Sequence, residues 1–189
     1  DILPPNVADL SAYKLVLAPG LMKLSDPLRN ALAHYEGIAL IGPRTDTKTD
    51  ELSIPLPMGP DLPDTDVTAV LTESIPPTDA IKLQGGGQFL HWFEHLEGNA
   101  PVHLSTKAGQ PAIMGGDSLR YLAGWPDDAT FDQIVGGLCD IAGIETYDLP
   151  DGLRIRDTAT HRFVFNYAPK ARTWNGMKIP AAGVHWEAL

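Results

Sequence analysis

The sequence predicts an α/β protein with a mostly parallel sheet, and features near its N-terminus indicate this class. Residues 13–19 form a short apolar run closed by proline, which is typical of a buried strand. Ser25 is placed to cap a helix over the following residues, and Gly37 is placed to end it. Ile38–Ile41 is a second apolar run. A strand, a helix and a strand at this spacing form a parallel crossover unit, so we expect helices on the faces of the sheet.

Short alternating runs between residues 80 and 124 predict antiparallel strands joined by turns, and the glycines at 85–87 are interpreted as one such turn. A phosphate-binding role for them is disfavoured because no capped helix follows. The next predicted element is a helix capped by Asp127 or Asp128 and ended by Gly143, and capping explains this carboxylate pair. Its apolar stripe consists of Phe131, Ile134, Val135, Leu138 and Ala142.

The pattern changes again near the C-terminus. Residues 153–167 alternate across a short turn and predict a β-hairpin, Asn175-Gly176 is a second turn signal, and residues 184–187 are predicted to form a closing strand. We therefore predict two domains: an α/β domain over residues 1–147 and a small all-β domain over residues 148–189.

Composition excludes several classes of function. The 189 residues carry a formal net charge of −10, which argues against nucleic acid and anionic membrane as partners, since both require a basic face. The acidic residues are spread along the chain, as expected for solubility. A single cysteine, Cys139, excludes an internal disulfide and suits a reducing compartment. No apolar run approaches the ~20 residues that span a bilayer. The sequence therefore predicts a cytoplasmic protein, without a cofactor.

The string from His91 to His95, H-W-F-E-H, has the spelling of an inverted zinc-protease motif, in which two histidines one helical turn apart bind zinc. The glycines upstream and the aromatic residues around it favour a strand instead. Regular alternation would place both histidines on one face of the strand and Glu94 on the other. The histidines would then be about 13 Å apart, too far to share a zinc ion with ligand bonds of ~2.0–2.1 Å. We predict no metal site here, and two surface histidines.

A long polar loop between residues 43 and 63 contains the strongest candidate site. Open α/β folds place ligands at the carboxyl ends of their strands, and this loop leaves such an end. Arg44, Thr45 and Lys48 are the candidate residues for contact with a substrate, or with a neighbouring domain or subunit. A mobile surface loop without such a role explains the same pattern equally well.

Three stretches resemble the β-galactosidases of glycoside hydrolase family 42. Residues 9–19, D-L-S-A-Y-K-L-V-L-A-P, are similar to the family's D-L-S-x-Y-K-L-V-x-A-P in its trimerisation domain. Residues 109–113 (G-Q-P-A-I) and 120–124 (R-Y-L-A-G) resemble the end of that domain. Residues 152–156 (G-L-R-I-R) and 163–167 (F-V-F-N-Y) resemble the start of the family's last, all-β domain. In this order the stretches cover essentially the whole chain.

The resemblance implies a flavodoxin-like, class I glutamine amidotransferase-like, trimerisation domain over residues 1–147, and hence a homotrimer. The family's catalytic (β/α)₈ barrel carries both catalytic glutamates and has no counterpart in this sequence, so the resemblance implies no catalytic residue here. The barrel would instead be a partner of this chain. The first strand of the trimerisation domain is also missing, and it would lie between a strand at Ile2-Leu3 and the strand at Leu15-Val16. At residues 115–119, where the family often has a Gly-x-Gly turn, the sequence departs from it and reads G-G-D-S-L.

Two functions of different classes remain open. The first is a non-catalytic oligomerisation and support segment of a β-galactosidase that hydrolyses terminal β-D-galactosides. The second is a stand-alone amidotransferase-like or hydrolase domain with its own active site. That class normally needs a Cys or Ser nucleophile on a sharp strand-to-helix turn, with a His partner. Cys139 falls late in a predicted helix, where a core position is expected instead.

Overall fold

The computed structural model describes all residues, Asp1–Leu189, and divides them into two compact units, Asp1–Glu145 (unit 1) and Thr146–Leu189 (unit 2). This division lies close to the domain boundary predicted near residue 147. The elements of unit 1 are β1 (Leu15–Ala18), α1 (Asp26–Ala33), β2 (Ile38–Ile41), β3 (Thr68–Ser74), β4 (Ile81–Lys82), β5 (Gln88–Glu97), β6 (Val102–Ser105), β7 (Pro111–Gly115), β8 (Leu119–Leu122), β9 (Gly124–Pro126) and α2 (Asp128–Ile141). Those of unit 2 are β10 (Leu153–Asp157), β11 (His161–Asn166), β12 (Arg172–Trp174), β13 (Met177–Ile179) and β14 (Val184–Ala188).

The first sheet of unit 1 has the strand order β1-β2-β8-β7-β6. β1, β2 and β8 are parallel, whereas β7 and β6 run antiparallel to their neighbours. The predicted crossover β1-α1-β2 is confirmed. Ser25 is the N-cap of α1 and its side chain accepts a hydrogen bond from the Leu28 backbone N–H. Leu28, Ala31 and Leu32 are the buried residues of that helix.

The predicted fold class is wrong: the protein is mostly β, with several antiparallel sheets, and it is not a flavodoxin-like α/β fold. Parallel strands need a crossover connection, usually a helix, whereas strands joined by short turns pair antiparallel. Within unit 1 only β1 and β2 are joined by a helix, and the segment between β2 and β8 is built of strands β3 to β7. The single crossover unit near the N-terminus therefore predicted its own geometry, but not that of the whole sheet.

A second sheet of unit 1 has the order β3-β5-β4, and β9 also pairs with β5. The antiparallel strands predicted in this region are confirmed. Gly85, Gly86 and Gly87 have φ angles of 79°, 110° and 80° and form the turn between β4 and β5, as predicted. These angles lie in the left-handed region that glycine adopts without strain.

Helix α2 follows β9 and is capped as the sequence predicts. The Asp127 carboxylate accepts a hydrogen bond from the Thr130 backbone N–H at 2.9 Å. Hydrogen bonding to the Thr130 side chain, followed by this backbone bond, holds the pKa of Asp127 below its usual value. Gly143, with φ 60°, follows the helix end. Cys139 is buried, as predicted. The predicted apolar stripe is only partly buried, because Phe131 is exposed.

Unit 2 contains a three-stranded antiparallel sheet, β10-β11-β14, and the two-stranded hairpin β12-β13. The predicted hairpin, the closing strand and the Asn175-Gly176 turn are confirmed. Leu153, Val164, Trp174 and Ile179 form the buried core of the unit.

The strand expected at Ile2-Leu3 is not formed, and Ile2 is fully exposed. β1 is therefore an edge strand of its sheet. Neither helix of the protein is long and apolar enough to cross a membrane.

Candidate functional site

The candidate loop begins where β2 meets the end of β1. The Gly42 backbone N–H donates to the Ala18 carbonyl at 2.7 Å. A Cβ at Gly42 would lie 2.2 Å from the Pro19 carbonyl oxygen, so only glycine permits this close approach. The chain then turns sharply, with Arg44 at φ 65° and Asp46 at φ 57°. These left-handed conformations are uncommon for residues other than glycine, so contacts around the turn must hold it in place.

The side chain of Glu94, which lies on β5 and is completely buried, holds the turn in place. The Arg44 backbone N–H lies 3.2 Å from each oxygen of the Glu94 carboxylate. The Tyr121 hydroxyl donates to Oε2 at 2.6 Å, and the Thr72 hydroxyl donates to Oε1 at 3.3 Å. A buried carboxylate is costly unless it is hydrogen-bonded, and these donors satisfy it. Glu94 thus joins β3, β5 and β8 to the start of the loop.

Tyr121 is completely buried beside this carboxylate. Burial, followed by the adjacent negative charge of Glu94 and the hydrogen bond to it, raises the pKa of the Tyr121 phenol well above its usual value. The phenol therefore remains a hydrogen-bond donor through the neutral pH range.

The next residues of the loop are bonded to α1 and to the segment before it. The Asp46 carboxylate accepts from the Leu24 backbone N–H at 3.1 Å and pairs with Arg29 at 2.8 Å. The Lys48 backbone N–H donates to the Met22 carbonyl at 2.9 Å. The turn of the loop is thus a hydrogen-bonded structure.

The three candidate residues occupy different environments. Thr45 is completely buried; its hydroxyl donates to the Gly42 carbonyl at 2.9 Å and accepts from the Leu21 backbone N–H at 3.2 Å. Arg44 and Lys48 are half-buried, and their side chains form no hydrogen bond or ion pair within the chain. The structure brings all three into one turn, where Thr45 is a packing residue and the two cations flank it.

The H-W-F-E-H string lies on β5, so its predicted strand is confirmed, but the regular alternation expected there is wrong. A register shift between Leu90 and Phe93 and a φ of 65° at His91 interrupt the strand, so that Phe93 and Glu94 are both buried. His91 is exposed, whereas His95 is half-buried and Nδ1 of its ring lies 2.9 Å from the Gln110 side-chain nitrogen. No group of three or more His, Cys, Asp or Glu side chains is positioned to hold a metal ion.

No protein-family profile matches the chain. Its sequence is nevertheless 33% identical over 176 residues to a β-galactosidase of Thermus thermophilus. The aligned region covers 90% of this chain and 27% of that protein. It is 30% identical over 198 residues to β-galactosidase Bga of Halorubrum lacusprofundi, covering 88% of this chain and 28% of the relative. This chain is a relative of the β-galactosidases. It spans just over a quarter of the length of these relatives.

Solved structures agree with this relationship. The β-galactosidase from the psychrophilic Marinomonas ef1 superimposes with a TM-score of 0.86 at 29% identity, covering 98% of this chain and 30% of that one. A GH42 β-galactosidase from G. stearothermophilus shares the fold, with a TM-score of 0.71 at 16% identity over 94% of this chain and 31% of that one. The resemblance to β-galactosidases is therefore confirmed, and the glycoside hydrolase family 42 enzyme shows the shared fold.

Sequence reasoning missed the Glu94–Tyr121 pair in this β-galactosidase relative. The only local signal is a glutamate inside an apolar strand, and regular alternation predicts only that it lies on the face opposite the two histidines. Its hydrogen-bond partners Tyr121 and Arg44 lie 27 and 50 residues away in the sequence. No spacing rule connects residues so far apart.

Proposed function

We propose that this chain is a non-catalytic oligomerisation and support segment of a β-galactosidase that hydrolyses terminal β-D-galactosides. The observation that carries the proposal is the coverage of the sequence matches: they include 88–90% of this chain but only 27–28% of each relative. The larger remainder of such a protein is then the expected place for the catalytic barrel that the family resemblance implies.

The candidate loop supports a contact role within this function. Its backbone is held by Glu94 and by the segment before α1, so Arg44 and Lys48 are presented from a fixed turn. Neither cationic side chain is neutralised by a carboxylate of its own chain. We infer that these two residues contact the barrel or a neighbouring subunit, and that buried Thr45 positions them.

The alternative, a stand-alone amidotransferase-like or hydrolase domain, gains no support from the cysteine. Cys139 is buried near the C-terminal end of α2, whereas nucleophilic cysteines occupy accessible positions where a helix N-terminus or a cation lowers the thiol pKa.

The first prediction is that the isolated chain does not hydrolyse galactosides. Retaining glycosidases need two carboxylates about 5–5.5 Å apart around the scissile bond, and we assign both to the barrel. The measurement is turnover of a chromogenic β-galactoside by purified chain, with the host's own β-galactosidase gene deleted. Activity that co-purifies with the chain through several chromatography steps would contradict the non-catalytic role.

A further inference from the structure

The three-stranded sheet of unit 2 carries a continuous row of aromatic side chains on one face. They come from alternate positions of β11 and from the residue that follows it: His161, Phe163, Phe165 and Tyr167. Successive ring centroids lie 6.2, 6.2 and 6.1 Å apart. The Trp186 ring of β14, opposite Phe163 in the strand register, lies 5.3 Å from the His161 ring.

This face is open, whereas the other face of the same sheet supplies the core. Leu153 of β10 and Val164 of β11 point to that other face and are completely buried, and they form the core with Trp174 and Ile179. On the aromatic side, Tyr167 is 72% exposed and Trp186 is 59% exposed. Antiparallel sheets commonly present polar side chains on their solvated face. A contiguous aromatic face indicates an interaction surface instead.

The same face carries two arginine residues. Arg154 and Arg156 of β10 lie opposite Phe165 and Phe163 in the register, so alternation places them beside the aromatic row. The acidic residues of these strands, Asp157 and Glu187, occupy the alternate positions that belong to the other face. Indeed Asp157 pairs there with Arg162 at 2.7 Å. We call the set Arg154, Arg156, His161, Phe163, Phe165, Tyr167, Val184 and Trp186 the aromatic–arginine face.

Charge is distributed unequally between the two units. Unit 1 contains eight Lys and Arg residues against 20 Asp and Glu residues, whereas unit 2 contains six against four. Unit 2 therefore has a formal net charge of +2 and unit 1 of −12. A cationic aromatic surface on one unit is thus complementary in charge to the other unit of any second copy of this chain.

We propose that the aromatic–arginine face of unit 2 docks onto the acidic surface of unit 1 in a second copy of this chain. The inference rests on the proposed oligomerisation role and names the surface that performs it. Trp, Tyr and Arg are the residue types that dominate binding energy at protein interfaces. Complementary charge accelerates association and fixes its orientation. A contact between two different surfaces is heterologous, and its repetition forms a ring of copies when the rotation from one copy to the next closes.

The test is the mass of the 189-residue chain in solution, measured by sedimentation and light scattering across micromolar concentrations. Two variants alter the face at exposed positions, Trp186→Ser and Arg154→Glu. Lys178→Glu is the matched control, because it makes the same charge reversal in unit 2 on the β12-β13 hairpin. We expect each face variant to weaken self-association by about tenfold or more, and the control to leave it unchanged. Raising NaCl from 50 to 500 mM should also weaken association of the unaltered chain.

Three results would overturn the inference. If the unaltered chain is a monomer at all concentrations, both the oligomerisation role and the docking surface are wrong. If it associates equally well as Trp186→Ser and Arg154→Glu, oligomerisation stands but another surface performs it. If the variants instead lose binding to a soluble β-galactan while their mass is unchanged, the face is a carbohydrate site. Circular dichroism and thermal unfolding of each variant confirm that the fold is retained.

Discussion

At the scale of single residues, Glu94 holds the start of the candidate loop. Its carboxylate is completely buried and accepts hydrogen bonds from one backbone N–H and two hydroxyl groups. We predict that Glu94→Gln lowers the free energy of unfolding by about 1–3 kcal/mol, because the amide NH₂ group would face donors that then lack an acceptor. Chemical denaturation measures this change.

The control for that substitution is Glu97→Gln, an identical chemical change at an exposed position of the same strand. Surface substitutions of this kind usually change stability by less than about 0.5 kcal/mol. Equal effects of the two variants would show that the buried hydrogen bonds of Glu94 contribute nothing specific.

Tyr121 makes the contribution of the same cluster to the free energy of unfolding depend on pH. A group whose pKa is higher in the folded than in the unfolded state adds stability that is fully present below the unfolded pKa, about 10 for tyrosine. That stability is lost as the pH rises through the raised folded pKa. We therefore expect the stability difference between the unaltered chain and Tyr121→Phe to shrink above pH 10. Denaturation curves from pH 8 to 11 test this, and a constant difference would contradict it.

At the scale of elements, we predict that the H-W-F-E-H string does not bind zinc, because it lies on strand β5. An inverted zinc-protease motif requires a helix, whereas here His91 sits at a strand irregularity and His95 contacts Gln110. Elemental analysis after purification without chelators should give far less than one zinc per chain. Stoichiometric zinc that disappears in His91→Ala would show that these histidines are ligands.

The elements that sequence predicted well are those with local signals. Ser25 before a proline and an apolar helical face specified α1, and Asn175-Gly176 specified the turn between β12 and β13. Sheet assembly was not predictable in this way. β3 alternates like any strand, but it pairs with β5, whose partner residues lie 18 to 29 positions later, rather than with the parallel sheet. The irregularity at His91 likewise arises from pairing with β9 and has no signature in the sequence.

At the scale of the whole molecule, the two edges of the five-stranded sheet differ. β6 is interrupted by two register shifts, and such irregularity makes an edge a poor template for further pairing. β1 pairs with β2 without a shift, and its other edge borders an apolar groove of about 510 Å³. The sides of the groove are β1 and the N-terminal segment that includes Leu3 and Val7.

The last prediction is that the open edge of β1 pairs with a strand from another polypeptide. Unpaired backbone groups in an apolar setting cost about 1–3 kcal/mol each, so a neighbouring copy or a bound upstream fragment is expected to satisfy them. Leu17→Lys places a charge on this edge, where the side chain is 40% exposed, and should abolish that pairing. Val102→Lys makes an apolar-to-lysine change on β6, at a position 49% exposed, and should have no effect. Light scattering combined with intact-mass analysis distinguishes a neighbouring copy of the chain from a bound upstream fragment. A homogeneous monomer of the unaltered chain, folded and free of any bound fragment, would show that the β1 edge is satisfied by water alone.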